Sequence, residues 1–467
     1  MFKVGTVEFV MVKECHIEIK VNAHGYGVIS GIVSYSNEER VMRLMHSEQM
    51  EQIVYTDVEH KQKILFSGLI ESIDIHKEGR LLEIKIVLVG ATKRLDVVKK
   101  TRAFQDLSIS YGNLLEYMNM SCNNGMIPCV DMEKTIDDLI VQYHETDWEF
   151  LKRLASRFHT CLYPNVSMKE MVCHFGIPKL KNNKHIEIMD YRVDCAYSEY
   201  REKKENGIEE LMEEDCWIYK ITTRDAVELA EEINVKGMAL WVRSVVISLE
   251  MGEMLYTCEL VRKKGLASVR KYNEKIIGAS LDAYVVKSNA DKVKVHISCD
   301  AKKESVNGKW FLYSTVFSSP DGTGWYCMPE ENDRVRLYFP DEKEENGYII
   351  SSVHENIGQS NEYQENARTN PDNKSICTKF GKQIELTPTK ISITNNQGMQ
   401  IVLDDTAGIQ MISDKDIVME SQGTINIVSA SDTVSMAALD AIELKQGNSK
   451  IMLKDNIIVE GAKFKVQ

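Results

Sequence analysis

Residues 401–427 read IVLDDTAGIQMISDKDIVMESQGTINI. Apolar residues separated by a single position recur there as Ile401/Leu403, Ile409/Met411, Ile417/Met419 and Ile425/Ile427, at a step of eight. Alternation of period two puts both members of a pair on one face of a short strand and turns the residue between them to the other face. The same unit continues upstream as Ile384/Leu386 and Ile391/Ile393. Downstream it continues as Val434/Met436, Ile442/Leu444, Ile451/Leu453, Ile457/Val459 and Phe464/Val466. Between units lie Asn395-Asn396-Gln397-Gly398, Asp404-Asp405, Asp414-Lys415-Asp416 and Gln446-Gly447-Asn448. These residues turn a chain at low cost, so the pattern predicts a tight corner after each strand.

A strand with two inward apolar residues cannot bury them alone, and a fixed period marks a solenoid or β-helix. A single chain needs a coil of roughly 20 residues or more to enclose a core, and an octad is too short for that. The simplest closure is three copies wound about one axis, each octad crossing one face of a triangular prism. The repeat therefore predicts a homotrimer whose core is formed by the pairs from Ile384/Leu386 to Ile457/Val459. Strands stacked about 4.8 Å apart would make a rod of roughly 50 Å. A β-sandwich with evenly spaced strands is disfavoured, because no aromatic residue lies between Phe380 and Phe464.

The chain has 467 residues, 43% of them hydrophobic, enough for about three domains. Its net charge of −13, with much of the acid between Glu199 and Glu232, makes nucleic acid and anionic lipid poor partners. No window approaches 18 uninterrupted apolar residues, and the first residues carry Lys3, Glu8, Lys13 and Glu14, so neither a signal peptide nor a membrane span is expected. Eleven cysteines without a CxxC spacing suit reduced thiols in a cytosol rather than a disulfide framework or a zinc site. Any action outside the cell then requires a route other than ordinary secretion.

Residues 1–95 alternate as strands around the Gly-rich turn His24-Gly25-Tyr26-Gly27 and the turn Lys77-Glu78-Gly79-Arg80, which reads as an antiparallel barrel. His24 has no second His or Cys at metal spacing and reads as a turn residue. Residues 96–190 are mixed α/β, with helices over Ser110–Met120 and over His144–Phe158. In the latter, Thr146 and Glu149 form a capping box and Trp148, Leu151, Leu154, Ala155 and Phe158 share one side. His144, Glu145 and Asp147 are not assigned catalysis, because a carboxylate such as Asp147 is favoured in a first helical turn by the dipole. Residues 191–274 read as a second barrel interrupted by a charged, solvated loop containing Arg201-Glu202-Lys203-Lys204-Glu205. Residues 275–356 hold five short strands, which suit an oligonucleotide/oligosaccharide-binding (OB) barrel. Its rim carries Glu330, Glu331, Asp333, Asp341, Glu342, Glu344 and Glu345, which favours a structural role over strand binding. Residues 357–375 are a polar linker, and 376–467 form the octad repeat.

Three stretches resemble one family, the VgrG-type spike proteins of contractile injection systems and the hub and spike of contractile phage tails. They are Tyr143-His144-Glu145-Thr146-Asp147-Trp148-Glu149-Phe150-Leu151-Lys152-Arg153-Leu154, then Gly324-Trp325-Tyr326-Cys327-Met328-Pro329 with Asp333-Arg334-Val335-Arg336-Leu337-Tyr338-Phe339-Pro340, and the repeat itself. Leu95-Asp96 and Phe104-Gln105-Asp106 are similar to phage-hub versions; Asn332 stands where the family usually has Gly. The resemblance implies a mainly β fold with two hub barrels, a mixed α/β insert, an OB-fold barrel and a C-terminal trimeric intertwined β-helix in the form of a triangular prism. It implies no enzyme activity. Three subunits would present six similar barrels to a sixfold tail tube while the prism forms a needle driven through a target envelope by sheath contraction.

The implied partners are two further copies of the chain, a tail-tube protein or tube initiator, baseplate proteins and a conical tip protein of the proline-alanine-alanine-arginine (PAAR) kind over Phe464 and Val466. Nucleic acid is not among them, and the target envelope is touched only transiently. Assembly is expected in the cytoplasm as part of a phage tail-like particle, with an extracellular or target-envelope location after release or contraction. The segment 357–375 is too short for an inserted hydrolase, and the chain is expected to end at Gln467 without an effector. No histidine follows His354, so no tip metal, and no cofactor, is expected. The competing reading is a trimeric polysaccharide-binding or depolymerising tail fibre, which calls for aromatic platforms and paired carboxylates. The repeat lacks the aromatics, and Asp404-Asp405 and Asp414/Asp416 read as turn residues.

Overall fold

The computed structural model describes residues 1–57, 59–120, 125–180, 184–301, 308–353, 370–461 and 463. It divides into two units, Met1–Glu355 and Asn356–Gln467. In the first, alternating sequence closes a ring of six antiparallel strands: β1 (Phe2–Val4), β2 (Val7–Lys20), β3 (Tyr26–Val33), β4 (Glu51–Thr56), β5 (Gln62–Glu78) and β6 (Leu81–Val89). The order is β1-β4-β5-β6-β3-β2, and β2 returns to β1 through Lys3↔Glu8 and Val4↔Val7. Ile17, Ile29, Ile53, Phe66, Ile84 and Ile86 fill the interior at full burial. Gly31 faces an irregularity in β2, where a Cβ would stand 2.2 Å from the Met11 carbonyl oxygen, so only glycine fits. A helix that the sequence reading did not include, α1 (Glu38–Met45), seals the ring with Val41 and Leu44.

The α/β insert comprises β7 (Lys100–Phe104), α2 (Tyr111–Met120), β8 (Met126–Pro128), β9 (Ile140–Glu145), α3 (Asp147–Ser156), β10 (Leu162–Asn165) and β11 (Val172–Phe175). The expected capping box is present. Thr146 Oγ1 accepts from Glu149 N at 3.1 Å, and Glu149 Oε2 accepts from Thr146 N at 2.9 Å. Helix α3 buries Trp148, Leu151, Leu154 and Ala155, with Phe158 packed at the edge of the same core. The β7–β9 ribbon uses period two on both faces: Phe104 and Ile140 enter this core, while Ala103 and Val141 enter that of the third barrel.

Strands β12 (Asp190–Cys195), β13 (Trp217–Thr223), β14 (Glu232–Val235), β15 (Met238–Glu250) and β16 (Glu253–Val261) follow the order β12-β13-β16-β15, with β14 on the outer edge of β15. The segment before β12 spans both edges, because Lys184 bridges to Ile233 before Asp190–Cys195 pairs with β13. This group does not stand apart from the first ring. β2 has 14 residues and offers its second edge to β15, from Ser244↔Lys20 to Ser248↔His16, so the two sheets are continuous and share one apolar cluster. The charged run read as a solvated loop is helix α4 (Tyr197–Glu205). Its Lys203 is buried, donating to Glu199 Oε1 at 2.7 Å and to the Gly265 carbonyl at 2.6 Å; the second of these contacts comes from distant chain, which no local charge pattern reveals.

The third barrel contains β17 (Ser280–Asn289), β18 (Lys292–Ile297), β19 (Trp310–Leu312), β20 (Arg334–Tyr338) and β21 (Tyr348–Val353) in the order β19-β18-β17-β20-β21. Tyr313 bridges to Ile349 and closes the ring, the five-stranded Greek-key arrangement of an OB barrel. Val285, Val293, Val295, Phe311, Val335, Leu337 and Phe339 fill it. Among the described residues no helix is long and apolar enough to cross a membrane.

The second unit holds one meander of β22 (Lys374–Cys377), β23 (Gln383–Leu386), β24 (Lys390–Thr394), β25 (Gln400–Asp404) and β26 (Gly408–Ile412), and another of β27 (Ile442–Gln446), β28 (Ser449–Leu453) and β29 (Ile457–Glu460). Lys374 and Ser375, assigned to the linker from composition, lie in β22; residues 357–369 of that linker fall outside the described residues.

Candidate assembly surface

The register of the first meander aligns its apolar pairs into two continuous rows. Ile376, Ile384, Ile393, Ile401 and Met411 are successive partners across five strands, and Leu386, Ile391, Leu403 and Ile409 form the parallel row. Partners in an antiparallel ladder point to the same side, so all nine lie on one face. Among the described residues nothing covers that face: these side chains are 39–72% exposed. In the second meander Ile442, Leu453 and Ile457 make one row, and Leu444, Ile451 and Val459 the other. Again the rows are open, with Ile457 72% exposed.

The corners differ from the expected prism corners. Each is a reversal that lays a strand antiparallel to its own neighbour in the chain. Asn395 carries the corner between β24 and β25, its Oδ1 accepting from Gln397 N and Met399 N at 2.9 Å; Asp404 does the same after β25, accepting from Thr406 N and Ala407 N at 2.9 Å.

Between the meanders, residues 413–441 depart from the sequence reading, which expects a strand at each octad. Ile417 and Met419, Ile425 and Ile427, and Val434 and Met436 lie in no strand, and among the described residues this stretch makes no backbone–backbone hydrogen bond. Nor are they covered as core residues in the single chain: Met419 is 67% exposed, Ile427 55% and Met436 58%, and Ile417, Ile425 and Val434 are 45–57% exposed. The physical reason is that a strand forms only where a second hydrogen-bonding edge lies beside it, and the chain brings none of its described strands alongside this stretch. Ile417 continues the first row past β26, lining with Ile384, Ile393, Ile401 and Met411 an apolar cleft of about 640 Å³. Fully covering one large aliphatic side chain contributes roughly 1.5–3 kcal/mol, so the uncovered rows are a strong drive to associate. Phe464 and Val466 lie outside the described residues.

The first unit is held by charges that the sequence reading placed elsewhere. Glu344, expected on the acidic rim, is buried, as are Glu145 and Asp147. Arg153 Nη1 donates to Glu344 Oε1 at 2.7 Å, Arg153 Nη2 to Glu145 Oε2 at 2.8 Å and to the Val141 carbonyl at 2.6 Å, and Arg157 Nη2 to Glu344 Oε2 at 3.0 Å. Burial alone would raise the Glu344 pKa, but the two guanidiniums outweigh it and hold the carboxyl below its usual range. Asp147 is engaged by Lys100 Nζ at 2.6 Å, by Arg102 and by Gln142 Nε2 at 3.1 Å. It is the centre of a buried ion cluster rather than a residue placed there for the helix dipole alone.

His24 is more than a turn residue. Its Nδ1 lies 2.9 Å from Thr92 Oγ1, its Nε2 lies 3.3 Å from Asp96 Oδ2, and its ring packs 4.7 Å from that of Trp148. Thr146 donates to Asp96 Oδ1 at 2.6 Å, so the Gly-rich turn is tied to the cap of α3. Burial lowers the His24 pKa below the usual 6.5 against the pull of Asp96. Thr92 is 3% exposed, while the His24 and Asp96 side chains are 15% and 25% exposed, so the grouping is a partly buried tie between the turn and the cap of α3. Among the described residues no group of three or more His, Cys, Asp or Glu is placed to hold a metal ion.

Neither a family model nor a curated protein matches the sequence. Solved structures do. The E. coli c3393 protein, described as a component of the type VI secretion system with structural similarity to the T4 bacteriophage tail proteins gp27 and gp5, aligns over 76% of this chain and 100% of its own, with a TM-score of 0.52 and 12% identity. A chain of the lidless PdpA–VgrG complex aligns over 86% of this chain and 93% of its own at 0.53 and 11% identity. A chain of the half-lidded Francisella PdpA–VgrG complex aligns over 86% and 83% at 0.52 and 11%. At these identities the likeness is one of fold, and the fold is that of VgrG-type and phage-tail hub–spike proteins.

Proposed function

We propose that this chain, built on the hub–spike fold, is the homotrimeric centre of a contractile injection particle, joining a sixfold tail tube to a threefold needle that punctures a target envelope on sheath contraction. The observation that carries this reading is the pair of apolar rows on one face of the repeat, left open by the described chain itself. Three copies with those faces turned inward would bury them around a common axis, and the reversing corners would lie outside. Met419, Ile427 and Met436, open in the single chain, would be covered in the same way. Work of this kind is mechanical and needs stiffness, not a nucleophile or cofactor. The partners are then a tube protein at the barrels, baseplate proteins around them and a PAAR-like tip over Phe464 and Val466. Assembly takes place in the cytoplasm, and the needle acts outside it. Light-scattering mass together with negative-stain imaging of the purified chain tests the proposal. A species of three times 53.3 kDa bearing a thin rod is expected, and a compact monomer would overturn it.

A further inference from the structure

Positive charge collects at one cleft of the first unit. The cleft has a volume of about 430 Å³ and lies where the end of β2, strand β15, helix α4 and the stretch after β16 meet. Lys20, Lys203, Arg243 and Lys271 line it against only Glu199 and Glu202, in a chain whose net charge is −13. Arg243 is set there by a β-bulge: Val242 pairs with Leu260 and Ser244 with Glu259, which leaves Arg243 as the extra residue between them. A bulge of this kind re-aims a side chain. Arg243 Nη1 donates to Glu199 Oε2 at 3.2 Å and Nε to Glu259 Oε2 at 3.3 Å, while Lys203 Nζ donates to Glu199 Oε1 at 2.7 Å. Arg243 Nη2 has no partner among the described residues and is not sealed from solvent. Lys20 and Lys271 are exposed, and neither forms an ion pair among the described residues. Burial raises the Cys161 thiol pKa and Lys203, Lys271 and Arg243 each pull the other way, so these three cations converge on one wall of the cleft.

We propose that this cleft receives an acidic segment of a partner protein, whose carboxylates pair with Arg243 Nη2 and with the ammoniums of Lys20 and Lys271. Charge complementarity selects this occupant. A guanidinium edge takes a carboxylate through directed, charge-assisted hydrogen bonds, and the two unpaired ammoniums add attraction at the rim, where it steers an acidic partner and disfavours a basic one. No aromatic ring lines the cleft among the described residues, so a nucleobase has no platform to stack on. A single inorganic oxyanion is smaller than the space. Glu199 has a separate part: held by Lys203 and Arg243 together, it anchors the guanidinium through Nη1 and leaves Nη2 for the incoming carboxylate. All of these residues lie in the first unit, so the inference does not rest on the trimeric reading of the repeat.

The test is fluorescence anisotropy of a labelled hexaglutamate peptide mixed with the full-length protein at low salt. The parent is compared with Lys20→Glu/Lys271→Glu and with a control, Lys287→Glu/Lys292→Glu, which makes the same change in net charge at two exposed lysines of the third barrel. The expected result is binding by the parent that weakens about tenfold in the first variant, changes by less than about twofold in the control, and fades as salt is raised. Arg243→Lys, which keeps the charge but loses the planar fork, should also bind the peptide more weakly than the parent. No anisotropy change with the parent overturns the proposal. So do equal losses in the two double variants, which would assign the attraction to net charge alone. Displacement of the peptide by inorganic phosphate at the same concentration as by unlabelled hexaglutamate would assign the cleft to a free oxyanion and overturns it as well.

Discussion

Arg153 and Glu344, 191 residues apart in sequence, meet at 2.7 Å and are each no more than 4% exposed at the side chain. The contact joins helix α3 to a short turn before β21, and so fixes the insert to the third barrel inside one unit. Arg153 also serves Glu145 and the Val141 carbonyl, and Val141 N in turn donates to Glu344 Oε1 at 3.4 Å. Removing one member leaves the others charged and buried.

Glu344→Gln should therefore destabilise the first unit by about 3–5 kcal/mol, the usual effect of breaking a buried ion pair from one side. Denaturant unfolding followed by tryptophan fluorescence reads this directly. Glu345→Gln, one residue on and exposed, should stay within about 0.5 kcal/mol of the parent.

The same pair sets an acid limit. The Glu344 carboxyl is held below its ordinary 4.5 in the folded state, so the unfolded chain takes up its proton first as pH falls. Its contribution to stability is full above about pH 4.5 and declines as pH drops toward the depressed folded value. Midpoints measured from pH 6 to pH 3 should fall more steeply for the parent than for Glu344→Gln, and parallel curves would contradict the assignment.

His24 adds a second pH dependence at milder acidity. Burial holds its folded pKa below 6.5, with Lys93 and Lys152 adding to the lowering against the pull of Asp96. Protonation thus favours the unfolded chain, and stability attributable to His24 is lost as pH falls from about 6.5 toward the folded value. His24→Gln should flatten the stability curve between pH 7 and pH 5.

Thr146→Ala removes the acceptor for Glu149 N and the donor to Asp96 together. A loss of about 0.5–2 kcal/mol is expected from the cap. Thr146→Ser should restore most of it, because the hydroxyl rather than the methyl makes both bonds.

Ile425→Asp puts three charges on the proposed axis, where none has a partner. The rod should be absent from negative-stain images and the mass should fall to that of one chain, while the barrels, which lie in the other unit, keep their unfolding midpoint. A rod of normal length would refute the inward orientation of this residue.

The sequence by itself determined the local order of this protein. Period-two pairs such as Ile391/Ile393 and Ile401/Leu403 set which side chains share a face, Thr146 with Glu149 set the start of α3, and Asn395 and Asp404 set the corners, because each of these depends on neighbours a few residues away. What only the tertiary structure decided depends on distant chain. The second edge of β2 makes two expected barrels one sheet, Gly265 buries the ammonium of Lys203 in a segment that reads as solvated, and Arg153 takes Glu344 off the acidic rim. It also decided where the repeat finds its backbone partners, inside the chain up to Ile412 and again from Ile442, but not at Met419, Ile427 or Met436 between them. Alternation fixes the face of a side chain, whereas a hydrogen-bonding edge can be satisfied by any strand that reaches it, and nothing in eight residues specifies which one does.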